Sequence, residues 1–229
     1  MIDNVGVEFN TFSIIGRCAR TGMLGIAITT SDIAVGSRCP HVQPLIGAVS
    51  TQAVTDPRLG TLAVRLMQLG YSANRAIHEL EASDPHIERR QLGIVDRDGN
   101  SAARTGSSNN SWAGHIANRD YVAMGNGLSG EQVVNSMGRA FEDAASENLE
   151  ERLLRSLEAG QSAGGEARDS TPYHSAALLV YDQESFARVD LRVDEHALPI
   201  GELRRLLEIY IPKILFYNLR ATDPDNAGI

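Results

Sequence analysis

The chain has 229 residues, with 21 Lys and Arg against 29 Asp and Glu and a formal net charge of −8 at pH 7. This acidic balance argues against a nucleic-acid partner, because binding to the phosphate backbone needs a basic surface. A hydrophobic content of 42% with 22% charged residues is typical of a globular chain. No apolar run reaches the ~20 residues of a membrane span, and the start MIDNVGVEFN has no signal-peptide pattern. We therefore expect a cytoplasmic protein with no membrane partner.

Motifs for metals and cofactors are missing from the sequence. The two cysteines, Cys18 and Cys39, are too few for a disulfide framework, and their spacing matches no common zinc site. HExxH and Gly-Lys-Ser/Thr do not occur, which disfavours a catalytic zinc and an ordinary nucleotide phosphate site. The spacing GxGxxG occurs at 125–130, where it is a weak signal by itself, and GxSxG occurs at 160–164. The GxSxG stretch follows a predicted helix rather than a strand, so it is not the serine elbow of an α/β-hydrolase. The sequence thus predicts no metal and no cofactor.

The first half of the chain is predicted to begin with strands and to continue with a pair of helices. The strand-forming runs lie at 11–17, 23–30 and 44–52. Apolar residues at helical spacing predict a helix that starts after Asp56 and ends at Gly70. Ser72 is a good cap for a second helix that continues through Leu80.

The second half is predicted to contain four strands, a pair of helices, two further strands and a final helix. Further strands are predicted at 91–96, 101–105, 113–117, 121–125, 175–181 and 187–193. Helices are predicted at about 130–145 and 149–159, and a last helix opens at Pro199. Pro212 is expected to kink or split that helix, because proline lacks the amide hydrogen that a helix interior needs.

This order of elements predicts an α+β fold. No helix links each strand to the next, so a doubly wound parallel sheet is excluded. Two antiparallel sheets with helix pairs on the outside, a four-layer αββα sandwich, fit better. We expect one domain over residues 11–220, an N-terminal extension at 1–10 and a flexible tail at 221–229.

Small hydroxyl residues cluster at the ends of the first three predicted strands. The clusters are Thr11 with Ser13, Thr29 to Asp32, and Ser50 to Gln52. If these strands are neighbours, the clusters meet at one sheet edge. A hydroxyl nucleophile needs a base, and a free α-amine with a pKa near 8 can serve. The alternative is that these side chains only satisfy backbone groups.

Four other residues are candidates for a site. His174 opens a strand after a glycine-rich loop. Asn126 lies between two glycines and suits either a turn or the stabilisation of an oxyanion. Glu166 and Arg168 lie in the 161–171 loop, where they are either a clamp for a polar substrate or a solvated charge pair.

Eight short motifs together resemble a prokaryotic family, domain of unknown function 1028, placed by similarity in the N-terminal-nucleophile (Ntn) hydrolase superfamily. They are TFSI (11–14), AVGS (34–37), GAVSTQ (47–52), RQLG (90–93), WAGH (112–115), GGE (164–166), HSAA (174–177) and VDLRV (189–193). The resemblance spans roughly 11–220. It implies an αββα sandwich and cleavage of amide bonds by a residue at the start of the first strand, whose own α-amine is the base. The matching residue is Thr11.

The chain departs from this scheme at three places. Ten residues precede Thr11, so they must be removed before its nitrogen can act as a base. Lys213 is the only lysine, so the lysine that proteasome-like members have near the third strand is missing. Asn109 stands where relatives have a cysteine.

The resulting prediction is an amidohydrolase of the Ntn class acting on a small C–N substrate. Its catalytic and supporting residues are Thr11, Ser31, Thr51 and His174. Its substrate-binding residues are Ser13, Gln52, Asn126, Glu166 and Arg168. The alternatives are an inactive small-molecule-binding or assembly module and a purely structural homo-oligomer.

The final helix also bears on partners. It carries the apolar residues Leu203, Leu206, Leu207, Tyr210 and Leu215. If these residues are exposed they predict a homo-oligomer. The alternative is that they pack on the sheet.

Overall fold

Two antiparallel sheets face each other in the computed structural model, which describes residues 10–109, 112–166 and 174–228. The six-stranded sheet has the order β10-β9-β2-β1-β8-β7, and the four-stranded sheet has the order β3-β4-β5-β6. The strands are β1 (Thr11–Arg17), β2 (Leu24–Thr30), β3 (Pro40–Gln43), β4 (Gly47–Ala53), β5 (Arg90–Asp96), β6 (Ser101–Thr105), β7 (Trp112–Asn118), β8 (Tyr121–Leu128), β9 (Ser175–Tyr181) and β10 (Val189–Val193).

Helices cover the outer face of each sheet. They are α1 (Pro57–Gln68), α2 (Ala73–Ser83), α3 (Gln132–Asp143), α4 (Leu149–Ser162), α5 (Pro199–Tyr210) and α6 (Ile214–Thr222). The α1–α2 pair packs on the four-stranded sheet, and α3, α4 and α5 pack on the six-stranded sheet. The predicted four-layer αββα sandwich is therefore confirmed, with α5 beside the α3–α4 pair.

The helix ends follow the signals in the sequence. Asp56 caps α1 by accepting a hydrogen bond from the Arg58 amide, and Pro57 occupies the first turn. Ser72 caps α2 by accepting from the Arg75 amide. The expected break at Pro212 is confirmed as a short 3₁₀ turn between α5 and α6.

The apolar core is divided among three layers. Between the sheets, Ile15, Ile26 and Met124 of the six-stranded sheet pack with Ala48 and Val95 of the four-stranded one. Separate clusters lie between each sheet and its helices. Because β1 is central in its sheet and buried on both faces, its first residue is held at a fixed place.

The strands differ from the prediction in number and in bounds. The predicted runs 44–52 and 187–193 begin later, at Gly47 and Val189. The strand β3 was not predicted, since it is short, starts at a proline and pairs only with β4 at the edge of its sheet. The strand β8 does not end before Asn126 but continues to Leu128, because Asn126 pairs with Thr11 of β1.

The apolar face of the last helices is divided between core and surface. Leu203 and Leu207 are fully buried against the sheet, as the packing alternative proposed. Leu215 on α6 is 69% exposed. Within the described ranges, no helix combines the length and apolarity needed to cross a membrane.

Gly25 in β2 lies where the six-stranded sheet packs closely against α4. A Cβ there would lie 2.7 Å from the Leu179 carbonyl oxygen and 2.8 Å from a Leu153 methyl. The carbonyl belongs to the neighbouring strand and cannot move aside, so we expect Gly25→Ala to lower the free energy of unfolding by about 1–3 kcal/mol. Urea denaturation measures this.

The matched control is Gly201→Ala in α5, where a Cβ meets nothing within 4 Å. Alanine is the better helix former, so this variant should be more stable by about 0.5–1 kcal/mol. Equal stability of Gly25→Ala and the parent chain would contradict the packing described for β2.

Candidate functional site

A cavity of about 310 Å³ opens where β1 begins. Its volume is at the lower end of the range for small-molecule sites. Its polar wall is formed by Asn10, Thr11, Thr30, Asp32, Arg38, Thr55, Arg89, Ser108, Asn109 and Asn126. The rest of the wall is formed by Val35, Cys39, Ala53, Val54 and Gly127.

The strand register brings three polar side chains together at this cavity. Thr11 is directly opposite Thr30 of β2 and also opposite Asn126 of β8. Directly opposite residues of antiparallel strands share one face of the sheet. The sheet therefore places the threonine hydroxyls and the asparagine amide side by side.

The hydrogen bonds determine which way the Thr11 hydroxyl points. Its Oγ1 lies 2.8 Å from Thr30 Oγ1. The Thr30 hydroxyl donates its single proton to the Asn10 carbonyl oxygen at 3.0 Å. Thr11 must therefore be the donor in the bond between the two threonines. The lone pairs of Thr11 Oγ1 remain available to other groups.

Asn10 is held on both sides of its backbone. Its amide donates to Ser31 Oγ at 2.9 Å, and its carbonyl oxygen accepts from the Ser31 amide at 3.0 Å. The residue is only 5% exposed. The predicted catalytic Ser31 thus binds the backbone that precedes Thr11, and in the uncut chain the Thr11 nitrogen is an amide that cannot take a proton.

A buried chain of amides joins the two sheets behind the cavity. The Gln91 Nε2 lies 3.1 Å from the Gly114 carbonyl oxygen and 2.9 Å from the Gly125 carbonyl oxygen. Since carbonyls only accept, they fix which end of the Gln91 side chain is nitrogen. Its Oε1 therefore faces the other way and accepts from both Gln52 Nε2 at 2.7 Å and Asn126 Nδ2 at 3.1 Å.

The same logic orders the remaining members. With its nitrogen on Gln91, Gln52 presents Oε1 to Ser13, whose hydroxyl donates at 2.7 Å. Ser13, Gln52 and Gln91 are all essentially inaccessible to solvent. The predicted substrate-binding residues Ser13 and Gln52 thus lie behind the wall, where they position Asn126, which does line the cavity.

The other predicted site residues lie farther from Thr11. The Thr51 hydroxyl bonds Thr55 Oγ1 at 2.8 Å, and it is Thr55 that reaches the cavity. The His174 carbonyl oxygen accepts from the His196 amide, and Glu166 forms a β-bridge with Leu128; neither lines the cavity. Arg168 lies outside the described residues.

Several residues at the cavity, and one directly behind it, were not among the predicted site residues. Asn10, Thr30, Arg38 and Arg89 line the cavity, and Gln91 lies behind it. Thr30 belongs to a hydroxyl cluster that the sequence did identify, and Gln91 belongs to the RQLG motif. The two arginines carry no pattern in the sequence that separates them from surface arginines.

Cys39 is a second nucleophile type in the cavity wall. Burial raises the pKa of its thiol to about 11. The thiol therefore stays protonated near neutral pH, and a protonated thiol is a weak nucleophile. Across the described ranges, the cavity wall includes no histidine, and no three metal-ligating side chains cluster anywhere.

The rim of the cavity is held in a strained conformation. Ala53, at the end of β4, has a φ of +67°, a left-handed conformation that costs about 1–2 kcal/mol for a residue with a Cβ. The next carbonyl, that of Val54, accepts from the buried Arg90 guanidinium, which also pairs with Asp84 at 2.8 Å. These contacts hold the rim in place against the strain.

The amide chain makes a direct prediction for Gln91→Leu. This change leaves the Gly114 and Gly125 carbonyls and the Gln52 and Asn126 amides without their buried partner. We expect a loss of about 2–4 kcal/mol in the free energy of unfolding, because buried polar groups without partners are costly. Denaturant unfolding measures it.

The control is Gln68→Leu on the exposed side of α1, which should change the free energy of unfolding by less than about 0.5 kcal/mol. If Gln91→Leu is as stable as that control, the amide chain contributes nothing to the junction of the sheets.

Comparisons with known proteins place the chain in a family. The model of a family of unknown function, DUF1028, matches residues 11–203. The crystal structure of protein SPO2555 from Silicibacter pomeroyi, from the same family, is 31% identical over 88% of this chain and 89% of that chain, with a TM-score of 0.79. Anbu (ancestral beta-subunit) from Yersinia bercovieri is 11% identical over 89% of this chain and 96% of that one, with a TM-score of 0.41.

No curated protein matches the chain. The family match covers most of the residues, from the first residue of β1 into α5, and it includes the strands and loops that form most of the cavity. By this match and by its similarity to the Silicibacter pomeroyi structure, the chain belongs to the DUF1028 family.

Proposed function

We propose that the protein is an amidohydrolase that uses Thr11 as an N-terminal nucleophile on a small amide substrate. The observation that supports this is the position of the Thr11 hydroxyl. It lies at the first residue of the central strand, lines the cavity and donates to Thr30 beside the Asn126 amide. The proposal requires cleavage of the bond between Asn10 and Thr11.

Cleavage would give the site its base. A free α-amine has an ordinary pKa near 8, so a useful fraction is unprotonated at neutral pH. The amine belongs to the same residue as the hydroxyl, so it takes the Oγ1 proton without another side chain. This accounts for a nucleophilic site whose described wall has no histidine.

The reaction would then proceed by acyl transfer. Thr11 Oγ1 forms a bond to the substrate carbonyl carbon while its proton passes to the α-amine, and the carbonyl electrons move to oxygen. When the C–N bond breaks, the leaving nitrogen takes the proton from the amine and an ester on Thr11 remains. Water gives a proton to the α-amine and attacks the ester, which releases the acid and restores the hydroxyl.

The contacts of Asn10 indicate where the substrate carbonyl oxygen would bind. In the uncut chain the Asn10 carbonyl oxygen accepts from the Thr30 hydroxyl and the Ser31 amide. Once Asn10 leaves, both donors lose this acceptor at a position directly before Thr11. Donors already in place for a developing oxyanion are the largest electrostatic contribution in acyl transfer.

Asn126 would supply a further donor. One hydrogen of its Nδ2 bonds Gln91 Oε1, and the other has no hydrogen-bond acceptor among the described residues. Its side chain lines the cavity opposite Thr11. The buried amide chain holds this nitrogen, rather than the oxygen, in reach of a carbonyl.

A catalytically inactive binding or assembly module is the second candidate. It is favoured by the firm attachment of Asn10, which is buried and bonded through both backbone groups. In that case the cavity binds a ligand but the Thr11 nitrogen never becomes an amine. The two candidates differ in whether a chain that begins at Thr11 exists.

The first prediction concerns the N-terminus. In protein purified from its native host and incubated at neutral pH, intact-mass measurement should show a chain that begins at Thr11. That processed species should hydrolyse small amides in a substrate screen, whereas Thr11→Ala should hydrolyse none because it lacks the nucleophile. Thr61→Ala on the exposed side of α1 is the matched control and should keep full activity.

The second prediction concerns Thr30. Thr30→Val keeps the shape but removes the acceptor that orients the Thr11 hydroxyl, so kcat should fall by at least about tenfold. An amidase activity in chains still joined at Asn10, and unaffected by Thr11→Ala, would contradict the mechanism. A chain that is never processed and never hydrolyses amides would support the inactive module.

A further inference from the structure

The ionisable side chains of the cavity wall are unequal in charge. Among the described residues of the wall, two arginines, Arg38 and Arg89, face one acid, Asp32. This described part of the wall therefore has a surplus of one positive charge in a chain whose net charge is −8. An acidic protein that keeps a basic pocket wall attracts an anion there.

We propose that the ligand of this cavity carries a carboxylate, which Arg38 and Arg89 bind. As a statement about a substrate it rests on the proposed amidohydrolase function, and it makes the substrate a small amide with a free acid group. The binding itself does not require hydrolysis.

Of the two arginines, Arg89 has the guanidinium that is more available to a ligand. Its side chain is exposed at the cavity, and its guanidinium has no ion pair or hydrogen bond with any of the described residues. Its backbone is fixed, since its carbonyl oxygen accepts from the Val54 amide at 3.2 Å and its amide donates to the His86 carbonyl at 2.9 Å.

The acids around Arg89 bind other groups. Glu88 binds Arg104 and accepts from the Ser107 amide and hydroxyl at 2.8 Å, and these bonds hold its pKa below the ordinary value. Asp84 pairs with Arg90 at 2.8 Å. The charge of Arg89 is therefore left for a ligand.

Arg38 is only partly used within the protein. A single contact joins its Nη2 to Asp32 Oδ2, at 3.3 Å. A guanidinium has five N–H donors in a rigid fork, so donors remain for a second carboxylate. Asp32 is itself shared, because its Oδ1 accepts from the Ile33 amide at 2.8 Å.

A carboxylate fits this wall better than a phosphate. The surplus of one positive charge matches one negative charge. Phosphate sites commonly use the Gly-Lys-Ser/Thr of a P-loop or the GxGxxG turn of a parallel βαβ unit. The sequence has no Gly-Lys-Ser/Thr, and its GxGxxG stretch at 125–130 begins within the antiparallel strand β8. The apolar side chains of Val35 and Val54 leave room for the uncharged part of a small molecule.

The test compares matched ligands on the full-length Thr11→Ala variant, which cannot hydrolyse them. The probes are N-acetylglycine, N-acetyl-β-alanine and N-acetyl-γ-aminobutyrate, each paired with its uncharged primary amide. The three lengths cover different separations between the acid and the acetamide. By calorimetry, we expect at least one acid to bind about tenfold or more tightly than its amide partner.

Arginine variants then locate the binding. Arg38→Gln and Arg89→Gln, each made in the Thr11→Ala background, should weaken the acid about tenfold and leave the amide unchanged. The matched control is Arg65→Gln on the exposed side of α1, which removes the same charge away from the cavity and should change neither. Arg38→Lys retains the charge, so it tests Arg38 if the glutamine variant does not fold.

Four results would overturn the proposal. They are equal affinities for each acid and its amide, no binding of any acid, an unchanged affinity in Arg89→Gln, and tighter binding of inorganic phosphate than of the acids. Because these measurements use a chain without the nucleophile, they are separate from the mass and hydrolysis tests of the proposed function.

Discussion

The two carbonyls that bind the Gln91 amide are the constraint on which the site depends. Gln91 belongs to the four-stranded sheet, and the Gly114 and Gly125 carbonyls belong to the six-stranded sheet. Together with the hydrogen bond from Ser13 to Gln52, this contact joins the sheets through polar groups beside the apolar cluster between them. It also sets the direction of every bond from Ser13 to Asn126, because each amide has only one donor end. The Asn126 amide at the cavity is therefore held in one orientation by Gln91 behind the wall.

The register of β1 is the second part of the same arrangement. Pairing of Thr11 with both Thr30 and Asn126 puts a hydroxyl donor, a hydroxyl acceptor and an amide on one face. A shift by one residue would move all of β1 to the opposite face. The tightly packed core on both faces of β1 opposes such a shift, so packing far from the cavity keeps the Thr11 hydroxyl in place.

Features that depend on local sequence were predictable. The start of β1 at Thr11, the caps Asp56 and Ser72 and the break at Pro212 each follow from residues a few positions apart. The four-layer fold followed from the order of elements. The unpredicted features depend on which distant segments meet: β3 is a short edge strand, and β8 is extended by its partner β1.

The same distinction applies to the site. Thr11 and Asn126 were identified because a hydroxyl at a strand start and an asparagine between glycines are local signals. The hydrogen bond that orients Asn126 joins it to Gln91, 35 positions away, and no periodicity within one strand marks that bond. Ser13 and Gln52 were expected to contact substrate, yet both lie in the buried network, because alternation along a strand does not tell whether an inward polar side chain meets a cavity or another amide.

Two neighbouring arginines at the rim have different roles, because one stabilises the rim and the other is available to a ligand. Arg90 is buried and is committed to Asp84 and to the Val54 carbonyl, which stabilises the rim next to the strained Ala53. Arg89 precedes it by one residue, at the end of the 3₁₀ turn Ile87–Arg89, and its carbonyl oxygen accepts from the Val54 amide. The two arginines thus bind both backbone groups of Val54, one through its carbonyl and one through its side chain. Because Arg89 uses only its backbone in this contact, its side chain presents an uncommitted positive charge to a ligand that enters beside Thr11.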